Sequence, residues 1–578
     1  MVSKYRVVDH IVDELAAGGV DYVFGVDGAN IEDLYDAMNF CDGITGVLAK
    51  HEFSAATMAD GYSRASSRLG VVAATSGGGS LNLVAGLGES YASRVPVLAL
   101  VGQPPTPLDG RGSFQDTSSA GGSLDAVALF SAVSVYCKRV IDPADIVKAL
   151  TEAVAAAKAG GPAVLLLPKD VQQSMIERID MGAVACASPR VADVTPIVEE
   201  LRRALGPVTI IAGEQVARND ARVALEQLRA TLRASVATVP DAKDVSGTPG
   251  LGASSALGVT GVMGHPGIEQ ALSDSAVCLL VGTRLSVTAR AGLDAALGRA
   301  RVMSIGSAEP YVPSVHVHSE DLNASLADLT RALTGHGRPR GLQVLEALPR
   351  QELQPPEFDG PGVGYRDAMA ALDDAMPDGA DVVVDAGNSG AAAIHHLPVR
   401  RSGRFVVALG MGGMGYSFGA GIGMCFARAM GARAKNQGPR RRTVIVAGDG
   451  SFFMHGMELH TAIQYGLPLT VVLFNNNAHA MCVTREQLFY GDQYSYNRFQ
   501  PSRLGAGLAA MFPGLPSVDV TDVAALPGAL RDAFAHDGPA VVSIECSADE
   551  IPPFAPFLQA PQHHSIDKEM NTDVAARA

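Results

Sequence analysis

The stretch from Thr443 to Asn477, TVIVAGDGSFFMHGMELHTAIQYGLPLTVVLFNNN, decides the fold of its part of the chain. Two short apolar runs rich in β-branched residues, Thr443 to Ala447 and Leu469 to Phe474, enclose an amphipathic segment. This order predicts a strand, a helix and a second strand, which is the repeating unit of a parallel sheet covered by helices.

Glycine and polar residues follow each of these two strands. Gly448-Asp449-Gly450 comes after the first strand, and Asn475-Asn476 comes after the second. Open α/β sheets bind ligands at the carboxyl ends of their strands. There a carboxylate and a carboxamide can supply oxygen ligands to Mg²⁺, while bare backbone N–H groups approach phosphates. The sequence therefore predicts a magnesium-diphosphate site, although Asp-Gly and Asn-Asn pairs are also common in unrelated turns.

Length and charge restrict the class of protein. A chain of 578 residues with 47% apolar residues is long enough for three domains, each with its own core. The net charge of −15 argues against nucleic acid or an anionic membrane as the main partner, because both favour basic patches. A small anionic ligand would need local positive fields.

The seven cysteines are scattered, odd in number and free of any C-x-x-C pair, so we interpret them as buried thiols in a reducing compartment. The first nine residues do not form a signal peptide, and no apolar run approaches the length of a membrane helix. We therefore expect a cytoplasmic protein.

Short apolar runs bounded by Gly or Pro alternate with helical segments along the whole chain, which indicates parallel sheets buried on both faces. The first helix is predicted from the apolar spacing of Val7 to Leu15 and ends at Gly18-Gly19. The other predicted strands are Tyr22 to Gly25, Gly70 to Ala74, Pro96 to Val101, Ala163 to Leu167, Val208 to Ala212, Val277 to Val281, Asp381 to Asp385, Phe405 to Leu409 and Ala540 to Glu545. The predicted fold class is α/β, with three doubly wound parallel-sheet domains.

Two polar or Gly- and Pro-rich stretches, Ser188 to Thr195 and Gly335 to Gly364, are predicted linkers. They divide the chain into units at residues 1–187, 196–334 and 365–553. Residues 554–578 are expected to form a loose C-terminal tail.

The third unit resembles the cofactor motif of thiamine diphosphate enzymes, and most of all acetolactate synthases and related 2-oxo acid carboligases. The resemblance rests on Gly448-Asp449-Gly450 and Asn475-Asn476 and continues to Tyr490. It implies that Asp449, Asn476 and the Ala478 carbonyl bind Mg²⁺. It also implies a set of diphosphate-facing and cofactor-binding residues, namely Gly387, Asn388, Ser389, Gly448, Gly450 and Ser451.

The first unit resembles the pyrimidine-binding domain of the same family. The matching motifs are Lys50 to Phe53, Ala59 to Arg64, Thr75 to Asn82 and Val101 to Gln103. The resemblance places Glu52 at the family's catalytic glutamate, and it implies that Gly28, Thr75 and Asn82 bind the cofactor.

Acid–base chemistry explains why a carboxyl group is needed at Glu52. A hydrogen bond from it to N1′ of the aminopyrimidine favours the imino tautomer, whose nitrogen can take the proton from the thiazolium C2. Without that acid the C2 carbanion rarely forms. The alternative is a solvated residue that opens a helix, where the macrodipole favours a carboxylate.

Gly410 to Gly415 fits the dinucleotide motif G-x-G-x-x-G and follows a predicted strand. The acidic residue expected about 20 positions later is missing, since 431–438 contains none. Within the family resemblance, Gly412 is a cofactor-binding residue and Met414 is the bulky residue that wedges the cofactor into its bent shape. Ordinary core packing is the alternative for Met414.

The loop Arg111 to Asp116 resembles the carboligase loop in which a Phe-Gln pair borders the reacting carbon, so Phe114 and Gln115 are predicted catalytic residues. Simple pyruvate decarboxylases have a His-His pair near this loop and an acid where Ala29 stands, and this chain lacks both. That favours ligation of the carbanion over its protonation. Phe114 and Gln115 could equally be a loop anchor and a surface amide. The chain does contain one His-His pair, His395-His396, but it lies elsewhere in the sequence and we interpret it as structural.

Thr484 and Arg485 replace the Gln and Trp that acetolactate synthases usually carry. Because a guanidinium offers a planar fork to a carboxylate or phosphate, we predict that Arg485 binds an anionic substrate group. The alternative is an outward Arg485 paired with Glu486 or another acid.

The resemblance covers Tyr5 to Pro553 and implies pyrimidine-binding, central and diphosphate-binding domains in that order, with thiamine diphosphate and Mg²⁺ as cofactors. FAD stays open, since the family's central domain holds a flavin or nucleotide in some members only, and Gly282 to Ser286 occupies the region of a family Gly-x-Arg turn. In this family the cofactor lies between the first domain of one chain and the third domain of its partner. A homodimer is therefore the expected minimal unit, with a homotetramer the expected assembly.

The implied reaction is decarboxylation of a 2-oxo acid, with pyruvate as the default donor, followed by ligation to a second carbonyl compound. Two rival interpretations remain open. One is a different enzyme of the same family, such as a non-ligating 2-oxo acid decarboxylase or an acyl-CoA lyase. The other is a catalytically silent paralogue that binds the cofactor as a scaffold.

Overall fold

The computed structural model describes residues 4–177, 191–246, 256–335, 350–399, 402–433, 441–492 and 495–559. The described part contains three six-stranded parallel sheets and one antiparallel pair of short strands. Residues 188–190 and 336–349 of the two predicted linkers, Cys186 and residues 560–578 lie outside the described residues. The predicted fold class, α/β with three parallel-sheet domains, is confirmed.

The first sheet lies in the N-terminal unit. Its strands are β2 (Tyr22–Val26), β3 (Thr45–Leu48), β4 (Gly70–Ala74), β5 (Val97–Gln103), β6 (Tyr136–Arg139) and β7 (Pro162–Pro168), and β1 (Lys4–Arg6) pairs separately with β8 (Met175–Glu177). The helices are α1 (Val7–Ala17), α2 (Glu32–Asn39), α3 (Glu52–Ser66), α4 (Gly78–Ala92), α5 (Ala126–Ser131), α6 (Ile146–Gly160) and α7 (Lys169–Gln173). The strand order in space is β3-β2-β4-β5-β7-β6.

The second sheet forms the central unit. Its strands are β9 (Val208–Ala212), β10 (Ser235–Thr238), β11 (Ala256–Val259), β12 (Val277–Val281), β13 (Arg301–Gly306) and β14 (Val315–His318). The helices are α8 (Thr195–Arg203), α9 (Gln215–Arg218), α10 (Arg222–Leu232), α11 (Gly267–Ser273), α12 (Val287–Arg290), α13 (Asp294–Arg299) and α14 (Leu322–Gly335). The order β11-β10-β9-β12-β13-β14 is that of doubly wound nucleotide-binding sheets.

The third sheet contains the stretch that opened the sequence analysis. Its strands are β15 (Asp381–Val384), β16 (Phe405–Val407), β17 (Thr443–Gly448), β18 (Leu469–Asn475), β19 (Ser517–Val520) and β20 (Ala540–Glu545). The helices are α15 (Tyr365–Ala375), α16 (Asn388–His396), α17 (Tyr416–Arg433), α18 (Asp449–His455), α19 (Leu459–Gln464), α20 (Ala480–Tyr490), α21 (Leu504–Met511), α22 (Leu526–Ala535) and α23 (Ala555–Leu558). The order β16-β15-β17-β18-β20-β19 repeats that of the first sheet.

Every strand predicted from the sequence is present, and the ends differ by no more than two residues. The sequence analysis missed mainly edge strands, such as β6 and β19, because their side chains are only partly buried and their apolar runs are interrupted. Burial on both faces produces the continuous apolar runs that make central strands easy to recognise.

Two other expectations differ from the structure. Among the described cysteines only Cys278 and Cys425 are buried, and the other four are partly exposed.

The predicted loose tail still packs at its start, since Phe557 is buried and its ring lies 6.5 Å from that of Phe489. The prolines of this segment suggested a loop, but its aromatic side chains provide the apolar surface that holds it in place.

The first and third units share a hydrophobic core through helices α3 and α17. A Cβ at Gly61 would lie 2.2 Å from the Ala420 carbonyl oxygen, and a Cβ at Gly419 would lie 2.1 Å from the Thr57 hydroxyl. Only glycine fits at these two positions, so the two helices approach each other closely. Among the described residues, no helix is both long and apolar enough to cross a membrane.

Candidate active site at the edges of the first and third sheets

Asp449 lies where the sequence placed it, at the carboxyl end of β17, and it is the first residue of α18. The residue is 1% exposed, and its Oδ2 accepts a hydrogen bond of 3.2 Å from the Ala478 N–H. Burial raises the pKa of Asp449 to about 7, although backbone N–H groups of Gly450, Ala478 and Asn477 oppose the shift. Among the described residues no cationic side chain forms an ion pair with Asp449, and a buried carboxylate of this kind is a strong candidate ligand for a metal ion.

Asn476 and Ala478 occupy the loop after the neighbouring strand β18. The Oδ1 atom of Asn476 is buried and has no hydrogen-bond partner among the described residues. Two backbone hydrogen bonds fix this loop. The His479 N–H donates to the Asn497 carbonyl, and the Phe499 N–H donates to the Asn477 carbonyl. The structure thus brings Asp449, Asn476 and Ala478 together at one edge.

The Gly387-Asn388-Ser389 turn begins α16, at the carboxyl end of β15. Gly387 has a φ of +117°, and nothing lies within 4 Å of where its Cβ would be. Asn388 is 3% exposed, yet within the described residues neither its Oδ1 nor its Nδ2 has a hydrogen-bond partner of ordinary geometry. Buried amide groups without partners are costly, and their presence here indicates a polar ligand.

Asp385 is a site residue that the sequence analysis read only as the end of a strand. Its carboxylate accepts hydrogen bonds from the N–H groups of Gly415 (3.0 Å) and Ser417 (3.0 Å) and from the Ser451 hydroxyl (2.7 Å). It therefore ties together the loops that follow β15, β16 and β17. An acid at the carboxyl end of a buried strand was the available signal. The predicted contact of Ser451 with a diphosphate stays a prediction, because its hydroxyl is already donated to Asp385.

Gly450 and Met414 meet beneath the Asp449 turn. A Cβ at Gly450 would lie 2.5 Å from the His479 ring and 3.3 Å from the Met414 methyl group. Gly412 has a φ of +64° and open space beside it. Met414 thus reaches from the loop before α17 to the turn that carries Asp449, and its role as a wedge stays a prediction.

The donor set at the third sheet fits a magnesium-bound diphosphate. Asp449 offers a carboxylate, Asn476 a carboxamide oxygen and Ala478 a carbonyl, which are the oxygen ligands that Mg²⁺ prefers. Asn388 adds an unpaired amide beside them. The unpaired oxygen of Asn476 is explained if a cation completes its contacts.

Glu52 is the first residue of α3 in the first unit. Its Oε2 accepts a hydrogen bond of 2.9 Å from the Nδ2 of Asn82, and its Oε1 would lie 3.0 Å from a Cβ on Gly79. Thr75 lines the same cradle, where a Cβ at Gly28 would approach it to 2.8 Å. The structure therefore brings Glu52, Thr75, Asn82 and Gly28 together, as predicted.

Gln115 joins this cradle, whereas Phe114 points away from it. The Oε1 of Gln115 lies 3.4 Å from both the Thr75 and Ser76 hydroxyls, and the residue has a φ of +61°. Phe114 is 75% exposed. Gln115 is therefore not a simple surface amide, and the catalytic role of Phe114 stays a prediction.

The segment that carries Glu52 contacts the third unit of the same chain. The Lys50 N–H donates to Glu458 at 3.0 Å, and the Phe53 ring stacks on His455 at 4.2 Å and lies beside Gly413. On the family resemblance a lone chain is expected to leave Glu52 far from Asp449; the contacts described here are made by Lys50 and Phe53, and that expectation stays a prediction.

Comparison with known proteins identifies the family. The description "Thiamine pyrophosphate enzyme, N-terminal TPP binding domain" matches residues 5–122, the central domain of the same family matches 194–333, and its C-terminal TPP binding domain matches 385–544. The chain belongs to the thiamine pyrophosphate (thiamine diphosphate) enzyme family. Glu52 and Asp449 lie within the first and last of these matches.

Curated relatives of this thiamine diphosphate enzyme include acetolactate synthases. The large subunit from Parasynechococcus marenigrum (strain WH8102) is 28% identical over 93% of this chain and 87% of its own length. The isozyme 2 large subunit from Escherichia coli (strain K12) is 28% identical over 94% of this chain and 95% of its own length. An X-ray structure of a provisionally named thiamin diphosphate-dependent enzyme from Mycobacterium smegmatis has the same fold, with a TM-score of 0.75 and 21% identity over 94% of this chain and all of that one.

Arg485 lies on α20, close after the loop that contains Asn476 and Ala478. Its guanidinium carbon is 5.9 Å from the centre of the Phe557 ring, and it forms no ion pair within the described part of the chain. Glu486, the partner considered in the alternative reading, is buried and bonded to Asn497 instead. Arg485 thus keeps its hydrogen-bonding edge available for an anion.

A cavity of about 540 Å³ lies where the strand order of the central unit reverses, between β9 and β12, and residues of all three units line it. Arg94, Arg218 and Arg284 line it. The Nε atoms of Arg94 and Arg284 are buried without partners, and burial and the two neighbouring arginines lower the pKa of Arg94. This arrangement favours an anionic ligand.

Glu352, His395 and His396 also bring possible metal ligands within 4.8 Å of one another. His395 already bonds the backbone at both ring nitrogens, to Met263 and Leu353, and Glu352 pairs with Arg366 at 3.0 Å. These contacts are those of a structural cluster at the end of α16.

Proposed function

We propose that this chain is a thiamine diphosphate- and Mg²⁺-dependent enzyme that decarboxylates a 2-oxo acid and ligates the remaining fragment to a second carbonyl compound. The observation that carries the proposal is the buried Asp449 carboxylate near two buried carboxamides, Asn388 and Asn476, where the Oδ1 of Asn476 has no hydrogen-bond partner among the described residues. The similarity to acetolactate synthases supports the reaction class. Pyruvate is the default donor.

In this proposal the third unit holds the charged end of the cofactor. Asp449, Asn476 and the Ala478 carbonyl bind Mg²⁺, and the Gly387 to Ser389 turn binds the diphosphate. The N-terminus of α16 favours that anion through its backbone N–H groups. The bound cofactor supplies a nucleophilic carbon and an electron sink for the loss of CO₂.

In this proposal Glu52 acts at the aminopyrimidine end of the cofactor, where it would donate a hydrogen bond. Asn82 donates to one oxygen of the carboxyl group, which leaves the other oxygen free to carry a proton. With the cofactor bound, a protonated Glu52 would donate a hydrogen bond to N1′ of the aminopyrimidine. This bond would favour removal of the proton from C2.

Ligation is favoured over simple protonation by the groups around this cradle. Ala29 offers no acid, and Gln115, which lies beside Thr75, offers a carboxamide that can bind a second carbonyl but does not readily give up a proton. Because Ala29 and Gln115 supply no acid at their two positions, a donor fragment held by the bound cofactor would react more readily with a second carbonyl compound than with a proton from either residue.

Arg485 binds an anionic group of one substrate in this proposal. Its support is the absence of an ion pair within the described residues and its position beyond the metal-binding loop. The Arg485→Ala variant is expected to raise the KM of the substrate that carries the anion, whereas Arg498→Ala, which removes an arginine paired with Asp549, serves as a control. An unchanged KM for every accepted substrate would exclude this role.

A homodimer is the proposed minimal unit, with a homotetramer as the assembly. Large apolar side chains next to the site remain exposed in the single chain, among them Phe453 (54%), Met454 (49%) and Met457 (43%). Apolar surface of this kind beside a site is typical of a subunit interface. A complementation experiment tests whether the site is shared between subunits.

The experiment mixes two inactive variants, Glu52→Gln and Asp449→Asn. If one subunit supplies Glu52 and its partner supplies Asp449, each mixed dimer has one intact site, and roughly a quarter of the wild-type activity returns after random exchange. If one chain supplies both residues, no mixed dimer is active. The second result would contradict the shared site.

Incubation of the protein, Mg²⁺ and thiamine diphosphate with a panel of 2-oxo acids, followed by mass analysis, tests the reaction. A product that contains the donor fragment joined to a second carbonyl compound supports the proposal. An aldehyde alone identifies a non-ligating decarboxylase, and a product only from an acyl-CoA identifies a lyase. Failure to release CO₂ from every acid, together with tight cofactor binding, identifies a silent paralogue.

The central cavity favours a second, binding function for a nucleotide that carries phosphate groups. Three arginines converge there at a strand-order reversal, the usual ligand position in such sheets. Denaturation of the purified protein releases any tight ligand. Visible flavin absorbance in the released material would identify FAD, and an adenine spectrum alone would identify a non-flavin nucleotide.

A further inference from the structure

Tyr365 is the first residue of α15 and lies in no motif that the sequence analysis singled out. It is 2% exposed, and its ring lies 5.7 Å from that of Phe474, at the end of β18. Its hydroxyl is 3.5 Å from the Nδ2 of Asn476 and lies beside Asn388. One buried hydroxyl therefore stands between the carboxamide assigned to the metal and the carboxamide assigned to the diphosphate.

The orientation of the Asn476 amide decides whether it can bind a cation. Its oxygen is a ligand for Mg²⁺, whereas its NH₂ group has only donors and repels a cation. The Nδ2 of Asn476 faces the Tyr365 hydroxyl, and Oδ1 is buried without a partner. The Cys546 thiol also lies beside Asn476, but sulfur is a weak acceptor.

Glu550 holds Tyr365 in place. Both of its carboxylate oxygens accept from the Tyr365 N–H, at 2.9 and 3.2 Å, so this acid fixes the start of α15. Carboxylates at the N-terminus of a helix are favoured by the macrodipole. The Tyr365 hydroxyl therefore has a defined position opposite the metal-binding loop.

We propose that Tyr365 is a positioning residue that orients the Asn476 amide, so that its oxygen faces the metal, and links this amide to Asn388 at the diphosphate. The inference rests on the proposed function, because it requires a metal ion at Asp449 and Asn476. Tyr365 touches neither the metal nor the reacting atoms and acts through the two carboxamides.

Mn²⁺ binding in the presence of thiamine diphosphate, measured by electron paramagnetic resonance, tests the proposal without any substrate. Groups that orient metal ligands typically contribute about 10- to 100-fold to metal affinity. Tyr365→Phe is expected to weaken Mn²⁺ binding by about 10-fold or more on that scale. Tyr62→Phe removes another buried hydroxyl, one bonded to Asp21 in the first unit, and is expected to leave Mn²⁺ affinity unchanged.

A second variant separates orientation from packing. Asp has two equivalent oxygens, so Asn476→Asp presents an oxygen to the metal whichever way the side chain is turned. In this background the Tyr365→Phe change is expected to have little effect on Mn²⁺ affinity. An equal loss in both backgrounds would show that Tyr365 acts through packing, and would overturn the proposal.

The outcomes also distinguish this inference from the proposed function. If the wild-type protein binds no Mn²⁺ with the cofactor, the proposed metal site itself is wrong. If the wild type binds Mn²⁺ and Tyr365→Phe binds it equally well, only the role of Tyr365 is wrong.

Discussion

The first and third units have the same sheet but different chemistry at its edge. Their strand orders, β3-β2-β4-β5-β7-β6 and β16-β15-β17-β18-β20-β19, correspond strand for strand. Helix α3 in one corresponds to α17 in the other, and these two helices pack together. A shared scaffold thus presents two corresponding sheet edges whose functions depend on a few side chains.

The corresponding loops show where the functions diverge. After the corresponding strands β4 and β17, the first unit has Thr75 and the third unit has Asp449. At the start of the paired helices, the first unit has Glu52 as the first residue of α3, and the third unit has Met414 two residues before α17. One edge therefore carries a carboxyl group suited to proton transfer, and the other carries a carboxylate suited to a metal ion. The same backbone supports both because ligand sites depend on loop side chains rather than on the sheet.

The largest expected effect is a loss of turnover in Glu52→Gln, at the edge of the first sheet, without a matching loss of cofactor affinity. Glu52→Gln keeps the size of the side chain but removes the carboxyl proton, so turnover should fall by about 10²- to 10⁴-fold. Cofactor affinity should change little, because the proposed diphosphate site lies at the edge of the third sheet. Steady-state turnover and calorimetric titration measure the two quantities, and a large loss of affinity would contradict the division between the edges.

At the third edge the opposite result is expected. Asp449→Asn removes the negative charge from the metal site, and loss of a direct ligand should exceed the effect of a group that only orients one, so metal affinity should fall by about 100-fold or more. Calorimetric titration of Mg²⁺ into protein with thiamine diphosphate measures this. Retention of wild-type affinity would remove Asp449 from the metal site.

The contact between the first and third units, made by helices α3 and α17, can be disrupted at Gly61. An added methyl group would strike the Ala420 carbonyl, so Gly61→Ala should lower the stability by about 1 to 3 kcal/mol. Gly78→Ala, at a position with nothing within 4 Å, is the matched control and should be neutral or slightly stabilising. Thermal unfolding of both variants measures the difference, and equal stability would mean that α3 and α17 do not pack this closely.

The smallest expected effect is a pH dependence at the third edge. Burial raises the pKa of Asp449 from 3.8 to about 7, so its contribution to metal-free stability is fully present below pH 3.8 and is lost as pH rises through 7. A metal ion needs the charged form. Mn²⁺ affinity should therefore rise by up to roughly tenfold per pH unit below 7 and level off above it.

Titrations with Mn²⁺ alone, without the cofactor, measure this dependence free of the diphosphate's own protonation. Asp449→Asn should flatten the profile. A wild-type profile that is already flat through pH 7 would contradict the raised pKa of Asp449.

The sequence predicted the part of the site that lies at the ends of central strands. Asp449 and Asn476 follow apolar runs that can only be buried strands, so their meeting at one edge followed from parallel topology. Glu52 was predicted from its flanking motifs. The structure confirms that it lies with Asn82 and Thr75.

The supporting side chains could not be predicted in the same way. Asp385 and Tyr365 act through hydrogen bonds to residues far along the chain. Tyr365 lies in no motif, and the position of Asp385 at the end of a predicted strand does not reveal which loops its carboxylate joins. Edge strands such as β6 were missed because partial burial interrupts the apolar run. Long-range polar contacts depend on the packed structure, which local patterns do not encode.

The account's central claim is that Glu52 activates a cofactor held by Asp449 and Asn476, and exchange of the cofactor's C2 proton tests it without knowledge of the substrate. Thiamine diphosphate and Mg²⁺ are incubated with the protein in D₂O, the reaction is stopped with acid, and the remaining C2 proton is measured by NMR. The account predicts exchange much faster than for the free cofactor with the wild type, and slower by about 10²-fold or more with Glu52→Gln. Wild-type exchange no faster than that of the free cofactor, or equal rates for the two proteins, would contradict it.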